Sequence, residues 1–160
     1  MAARLKYGEL APEGMARMRA LEHYLNTETG LEPVLLDLVR LLASLLNGCE
    51  YCINLHSADL RKRNEPEERI AGLPEWKGSG AYTQRERAAL AWTEAVTNIQ
   101  DGHAPDAVYD QVREHFDEVE TANLTLAITT INAWNRLAIS LGNYSGHAGK
   151  VEKRITEMAE

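Results

Sequence analysis

One segment, Pro33 to Leu46 (PVLLDLVRLLASLL), restricts the fold more than any other part of this chain. It opens on a proline, which suits a first helical turn, and is apolar on most sides. A helix of that kind belongs in a protein core or a subunit interface. No apolar run approaches the roughly 18 residues needed to cross a bilayer. No segment shows convincing two-residue alternation, so a sheet has nothing to start from.

The other segments read as helices around this one. Residues 12–29 open on Pro12 and place Met15, Met18, Leu21 and Leu25 on one side. Asn47-Gly48 breaks the apolar helix, and Asn47 is positioned to cap a new helix from Cys49 to about Asn64. A short helix is expected over 66–71 and the longest loop over 72–82. Thr83 and Glu86 form a capping box for a helix to about Asn98. Loop 100–105 leads to a helix from Pro105 to about His115. Asp117, with Glu120 three residues on, caps the last long helix, 118–142. In the tail, Val151, Ile155 and Met158 have helical spacing. The reading is one all-α domain over 1–160, with no linker long enough to divide it.

Composition narrows the function. The formal charge is −7, which argues against a nucleic-acid or anionic-membrane binder, since phosphate fields demand an excess of Lys and Arg. The one basic cluster, Arg61-Lys62-Arg63, is followed at once by Glu65, Glu67 and Glu68 and reads as a solvated helix end. The N-terminal stretch has no apolar h-region, so a cytoplasmic location is expected. In that compartment a disulfide is more often catalytic or sensing than a staple.

Both cysteines lie in LLNGCEYCINLH, residues 45–56. On a helix, Cys49, Cys52 and His56 sit at i, i+3 and i+7, within roughly 60° of one another on one face. The i,i+3 pair is close enough to bridge, and His56 follows Cys52 by one turn. A thiol attacks as its thiolate, which a helix N-terminus or a neighbouring imidazole favours. The helix-capping position would activate Cys49, whereas the nearest base favours Cys52; the residues alone leave both open. Upstream, Asp37, Arg40, Ser44 and Asn47 form a polar stripe on the apolar helix. The stripe is either its exposed face or a means of aiming Asp37 at the cysteine helix.

Asp37-x11-Cys49-x-x-Cys52-x3-His56 resembles the core motif of the AhpD-like alkylhydroperoxidases within the carboxymuconolactone decarboxylase family. APEGMARMRALEHYL, YTQRERAALAWTEAVT and TLAITTINAWNRLAISL resemble that family's flanking helices, so the likeness spans about residues 7–142. It implies an AhpD-like helical bundle that assembles into oligomers and carries thiol peroxidase chemistry. By the same resemblance Cys52 attacks the peroxide, Cys49 resolves, and His56 and Asp37 form the proton relay. Four positions depart from the family's usual pattern. Asp37 stands where Glu is common, one methylene shorter; Leu42 and Leu45 stand where relatives often carry Arg and Gln; Tyr51 replaces a further histidine.

The function expected is thus a thiol-dependent peroxidase. Its partners would be a hydroperoxide, an external thiol or dithiol reductant protein, and further copies of the chain (a dimer, trimer or hexamer). No nucleic acid, membrane, cofactor or resident metal is expected. Zinc would find three ligands in Cys49, Cys52 and His56, one short of a structural site; His103, His115 and His147 lie on separate elements. A lactone decarboxylase of the same family needs no cysteine pair, and a non-catalytic thiol sensor would lack turnover. Trp76, Trp92 and Trp134 read as packing anchors. Asn132, Asn135 and Arg136, polar within an apolar pattern, either satisfy neighbouring helices or line the site, structural use being favoured.

Overall fold

Pro33 sits in the first turn of a helix that runs Pro33–Asn47, and every residue from Leu35 to Leu45 is buried. This is α3 of a computed structural model that describes residues 4–142. It is preceded by α1 (Tyr7–Leu10) and α2 (Pro12–Thr27). After it come α4 (Glu50–Lys62), α5 (Glu67–Ala71), α6 (Gln84–Thr97), α7 (Asp106–Arg113) and α8 (Glu118–Leu141). Short 3-10 turns occupy Leu73–Gly78 and Ile99–Asp101. All regular structure in the described residues is helical. The expected tail helix around Val151, Ile155 and Met158 lies outside them, as does His147.

The central helix packs against α4, α6 and α8. One side of it, through Leu35, Leu36 and Val39, joins Leu25, Ala88, Trp92, Val112, Phe116, Leu124 and Ile128. The other side, through Leu38, Leu41, Leu42 and Leu45, joins Leu60, Ile70, Leu73, Trp76 and Leu90. Each fully buried leucine contributes about 1.5–3 kcal/mol relative to exposure. The chain therefore hides this helix by itself. Of the two places the sequence allowed for such a helix, a core or a subunit interface, α3 takes the core.

The capping signals act as expected. Thr83 accepts from the Glu86 amide and the Glu86 carboxylate accepts from Thr83, closing the capping box of α6. Asp117 and Glu120 do the same for α8. The reading of 72–82 as plain loop is corrected. Ile70, Leu73 and Trp76 are buried three residues apart in one cluster, the spacing a 3-10 turn presents on one side. The loop from 100 likewise opens inside a 3-10 turn, and α1 had no sequence signal strong enough to separate it from α2.

The turn between α3 and α4 determines where the cysteines go. Gly48 takes φ +68°, ψ +32°, a left-handed conformation that costs glycine little and other residues more. Its amide donates to the Leu45 carbonyl at 3.1 Å and the Cys49 amide to the Ser44 carbonyl at 3.0 Å. These paired bonds are a Schellman ending. Asn47 therefore closes α3 rather than capping α4, and Cys49 takes the cap position.

Candidate functional site

Cys49 is the N-cap of α4, and its Sγ accepts from the Cys52 amide at 3.4 Å. The two cysteines are joined in a disulfide with their Cα atoms 5.3 Å apart. Both are buried, and they pack against Ala138 of α8. A sulfur at this end of a helix meets the positive end of the helix dipole, which favours a thiolate once the bridge opens. His56 lies on the same helix one turn beyond Cys52 and is also buried. Burial, reinforced by the Arg40 guanidinium, pushes its pKa down from 6.5 to about 4, against a smaller opposing pull from Asp59. The imidazole is neutral near pH 7 and can accept a proton.

Asp37, Arg40 and Ser44 are buried, and Asn47 is half-buried. The reading of this stripe as an exposed face is overturned. Its members pack toward three different helices. Asp37 faces α4: its Oδ1 lies 4.0 Å from His56 Nδ1 and its Oδ2 accepts from Arg63 Nε at 2.6 Å. Arg40 faces α2, where it donates to Glu22 at 2.8 Å and Asn26 at 2.9 Å. It also stands 3.6 Å from Asp37 Oδ1. Glu22 in turn accepts from the Trp134 indole at 3.1 Å.

Ser44 and Asn47 face α8. Asn135 donates to Ser44 Oγ at 3.1 Å, and the Asn47 amide donates to Asn132 Oδ1 and Asn135 Oδ1, each at 2.9 Å. Asn132 also donates to Thr97 Oγ1 at 2.9 Å. These contacts give Asn132 and Asn135 the structural use favoured from sequence. They tie α8 to the end of α3 just before the cysteine turn. Arg136 is exposed and donates to the Asn132 carbonyl and side-chain oxygens.

Two features were missed in the sequence. Arg63 does not belong to a purely solvated helix end: its side chain is 43% exposed yet reaches inward to Asp37. Its neighbours Arg61 and Lys62 behave as expected, pairing with Glu67 and Asp59 on the surface. The Glu22–Arg40 pair joins residues 18 apart on different helices, so no local spacing announced it. By contrast, Leu42 and Leu45 fill core positions, and Tyr51 is 64% exposed.

Among the described residues one group of potential metal ligands comes together, Asp37, His56 and Asp59, with ligand atoms within 4.8 Å of one another. Both carboxylates already face cations of this chain, Arg63 at 2.6 Å and Lys62 at 2.7 Å. The cysteines, bridged to each other, offer no thiolates to a metal.

Two buried nitrogens of this site have no hydrogen-bond partner, one on Arg40 (Nε) and one on His56, and the one that bears on the chemistry is on His56. Its buried Nδ1 has no hydrogen-bond partner, because 4.0 Å to Asp37 exceeds bonding distance. An unsatisfied buried polar atom costs about 1–3 kcal/mol. Two cations hold the carboxylate in its place: Arg40, itself fixed by α2, and Arg63, at the end of α4.

The Carboxymuconolactone decarboxylase family model matches residues 12–95. The chain is 40% identical over 143 residues to the uncharacterized protein YdfG of Bacillus subtilis (strain 168), covering 89% of this chain and 97% of that one. It is similar to the crystal structure of a protein of unknown function from Agrobacterium tumefaciens, for which an AhpD role in antioxidant defence has been suggested. That similarity has a TM-score of 0.85 at 37% identity, over 89% of this chain and 97% of that one. The debrominase Bmp8 has a TM-score of 0.75 at 19% identity, over 92% of this chain and 77% of that one. At that identity the likeness is one of fold alone.

Proposed function

The chain belongs to the carboxymuconolactone decarboxylase family, and from that premise we propose that it is a thiol-dependent peroxidase working through Cys49 and Cys52. The observation that carries this reading is the bridged pair itself. Cys49 caps α4, Cys52 lies in its first turn, and a neutral His56 follows on the same buried face of the helix.

The cycle starts from the reduced pair. His56 takes the Cys52 proton, and the thiolate attacks the terminal oxygen of a hydroperoxide. The O–O bond breaks, Cys52 becomes a sulfenic acid, and the alkoxide leaves as an alcohol with a proton returned from His56. His56 then takes the Cys49 proton, the Cys49 thiolate attacks the Cys52 sulfur, the S–O bond breaks, and the hydroxide leaves as water with that proton returned, forming the disulfide. A dithiol reductant reopens the bridge by exchange and is itself oxidised. One hydroperoxide and one dithiol give one alcohol, one water and one disulfide.

Cys52 is assigned the attack because His56 is on its side and because the family resemblance places the nucleophile there. Asp37 is assigned to the relay as the carboxylate nearest to His56 Nδ1. A lactone decarboxylase would leave the cysteine pair without a use. A sensor would share the first oxidation but not the turnover. The A. tumefaciens relative's suggested antioxidant role supports the peroxidase reading. In Cys49→Ser, one equivalent of hydroperoxide should leave a sulfenic acid on Cys52 that a dimedone-type reagent traps, read by peptide mass. Trapping on Cys49 in Cys52→Ser, and not on Cys52, would reverse the assignment.

A further inference from the structure

We propose that Arg63 is a positioning residue: its ion pair with Asp37 sets how far that carboxylate stands from His56. The inference rests on the peroxidase reading only where turnover is the readout.

Asp37 has two oxygens and three claimants. Oδ2 accepts from Arg63 Nε at 2.6 Å, while Oδ1 lies 3.6 Å from Arg40 and 4.0 Å from His56 Nδ1. The shortest of these contacts belongs to the one side chain able to leave. Arg40 is buried and held by Glu22 and Asn26. Arg63 is the C-cap residue of α4, its side chain 43% exposed, and Asp37 is the partner found for its guanidinium among the described residues. Release of that guanidinium exposes no buried charge on Arg63 and frees Asp37 to close on Nδ1. Nδ1 is buried and has no partner of its own.

The arrangement spans the cysteine helix, which carries Cys52 and His56 near its start and middle and Arg63 at its end. The charged groups around His56 are Asp37 and Arg40 from α3 and Asp59 from its own helix, with Arg63 acting through Asp37. From α2, Glu22 acts through Arg40. From α8, the residue packed against the cysteine pair is the uncharged Ala138. Loss of Arg63 therefore changes the balance at Asp37 more than at any other group near His56.

The test is an NMR titration of the His56 imidazole in the oxidised protein, comparing wild type, Arg63→Gln and Arg63→Lys. A second comparison sets Asp37→Asn beside Asp37→Asn/Arg63→Gln. The expected result is a His56 protonation constant raised at least tenfold by Arg63→Gln and returned toward wild type by Arg63→Lys. In the Asp37→Asn background Arg63→Gln should have little effect, since the carboxylate that moves is gone. Coincident titrations for wild type and Arg63→Gln would overturn the proposal. So would an equal shift in the Asp37→Asn background, which would mean that Arg63 acts by its charge alone. The pH profile of peroxide consumption supplies a second readout, its acidic limb moving to higher pH in Arg63→Gln. The titration needs no turnover, so its result stands apart from whether peroxide is the substrate.

Discussion

The carboxylate of Asp37 stops 4.0 Å short of His56 Nδ1. That gap is too long for a hydrogen bond and leaves a buried imidazole nitrogen without a partner. Aspartate at this position is held back by its cation partners and by its own length. Both causes can be tested separately from the cysteine chemistry.

Length is tested by Asp37→Glu. One added methylene extends the side chain by about 1.5 Å, enough to bring an oxygen within bonding distance of Nδ1. The expected outcome is faster peroxide consumption near neutral pH, with about 1–3 kcal/mol lost in stability because the position is already packed. An unchanged or lower kcat/KM would show that the missing methylene does not limit the relay.

His56 should make the fold sensitive to acid. Unfolded, the imidazole binds a proton near pH 6.5; folded, only near pH 4. Between those values the unfolded state holds the extra proton. Stability is thus fully present above about pH 6.5 and falls as pH drops toward 4. The loss is at most about 3 kcal/mol. Urea denaturation at pH 7.5 and pH 4.5 should show a larger drop for wild type than for His56→Gln. Equal drops would mean that His56 does not carry the effect.

Asn135 ties the long last helix to the central one. It is fully buried, donates to Ser44 and accepts from Asn47. Asn135→Ala removes both bonds, while Ser44 keeps its bond to the Arg40 carbonyl and Asn47 its bonds to Ala43 and Asn132, so the cost is about 1–3 kcal/mol. Denaturant midpoints should fall accordingly. A change below about 0.5 kcal/mol would show that the network contributes little.

We also expect a homo-oligomer, on grounds that differ from those the sequence offered. α3 is covered within one chain, but Leu10, Tyr51, Leu55, Val119 and Leu126 remain exposed. Exposed apolar side chains that adjoin one another in a patch are what subunit contacts use. Sedimentation at micromolar concentration should give a multiple of the 17.9 kDa chain mass; a monomer would contradict this.

The sequence exposed most of the helical frame because its punctuation is local. Pro12, Pro33, the Thr83–Glu86 and Asp117–Glu120 boxes and Gly48 each act within a few residues of themselves. The cysteine pair and His56 were legible for the same reason, since all three ride on one helix. The surroundings of Asp37 were not. Its fate depends on Arg63, 26 residues on, and on Arg40, which answers to Glu22 on another helix. A polar stripe at helical spacing looks the same whether water or other helices face it. Asn47 likewise carried a cap's identity, yet the left-handed Gly48 after it handed the cap to Cys49.

The proposed chemistry turns on Cys52. Steady-state hydroperoxide consumption with a defined dithiol reductant should be catalytic for wild type, many turnovers per chain. In Cys52→Ser it should fall to the uncatalysed rate while the helical circular dichroism stays unchanged. Equal consumption by wild type and a folded Cys52→Ser, or no turnover by wild type beyond one equivalent, would contradict the peroxidase reading.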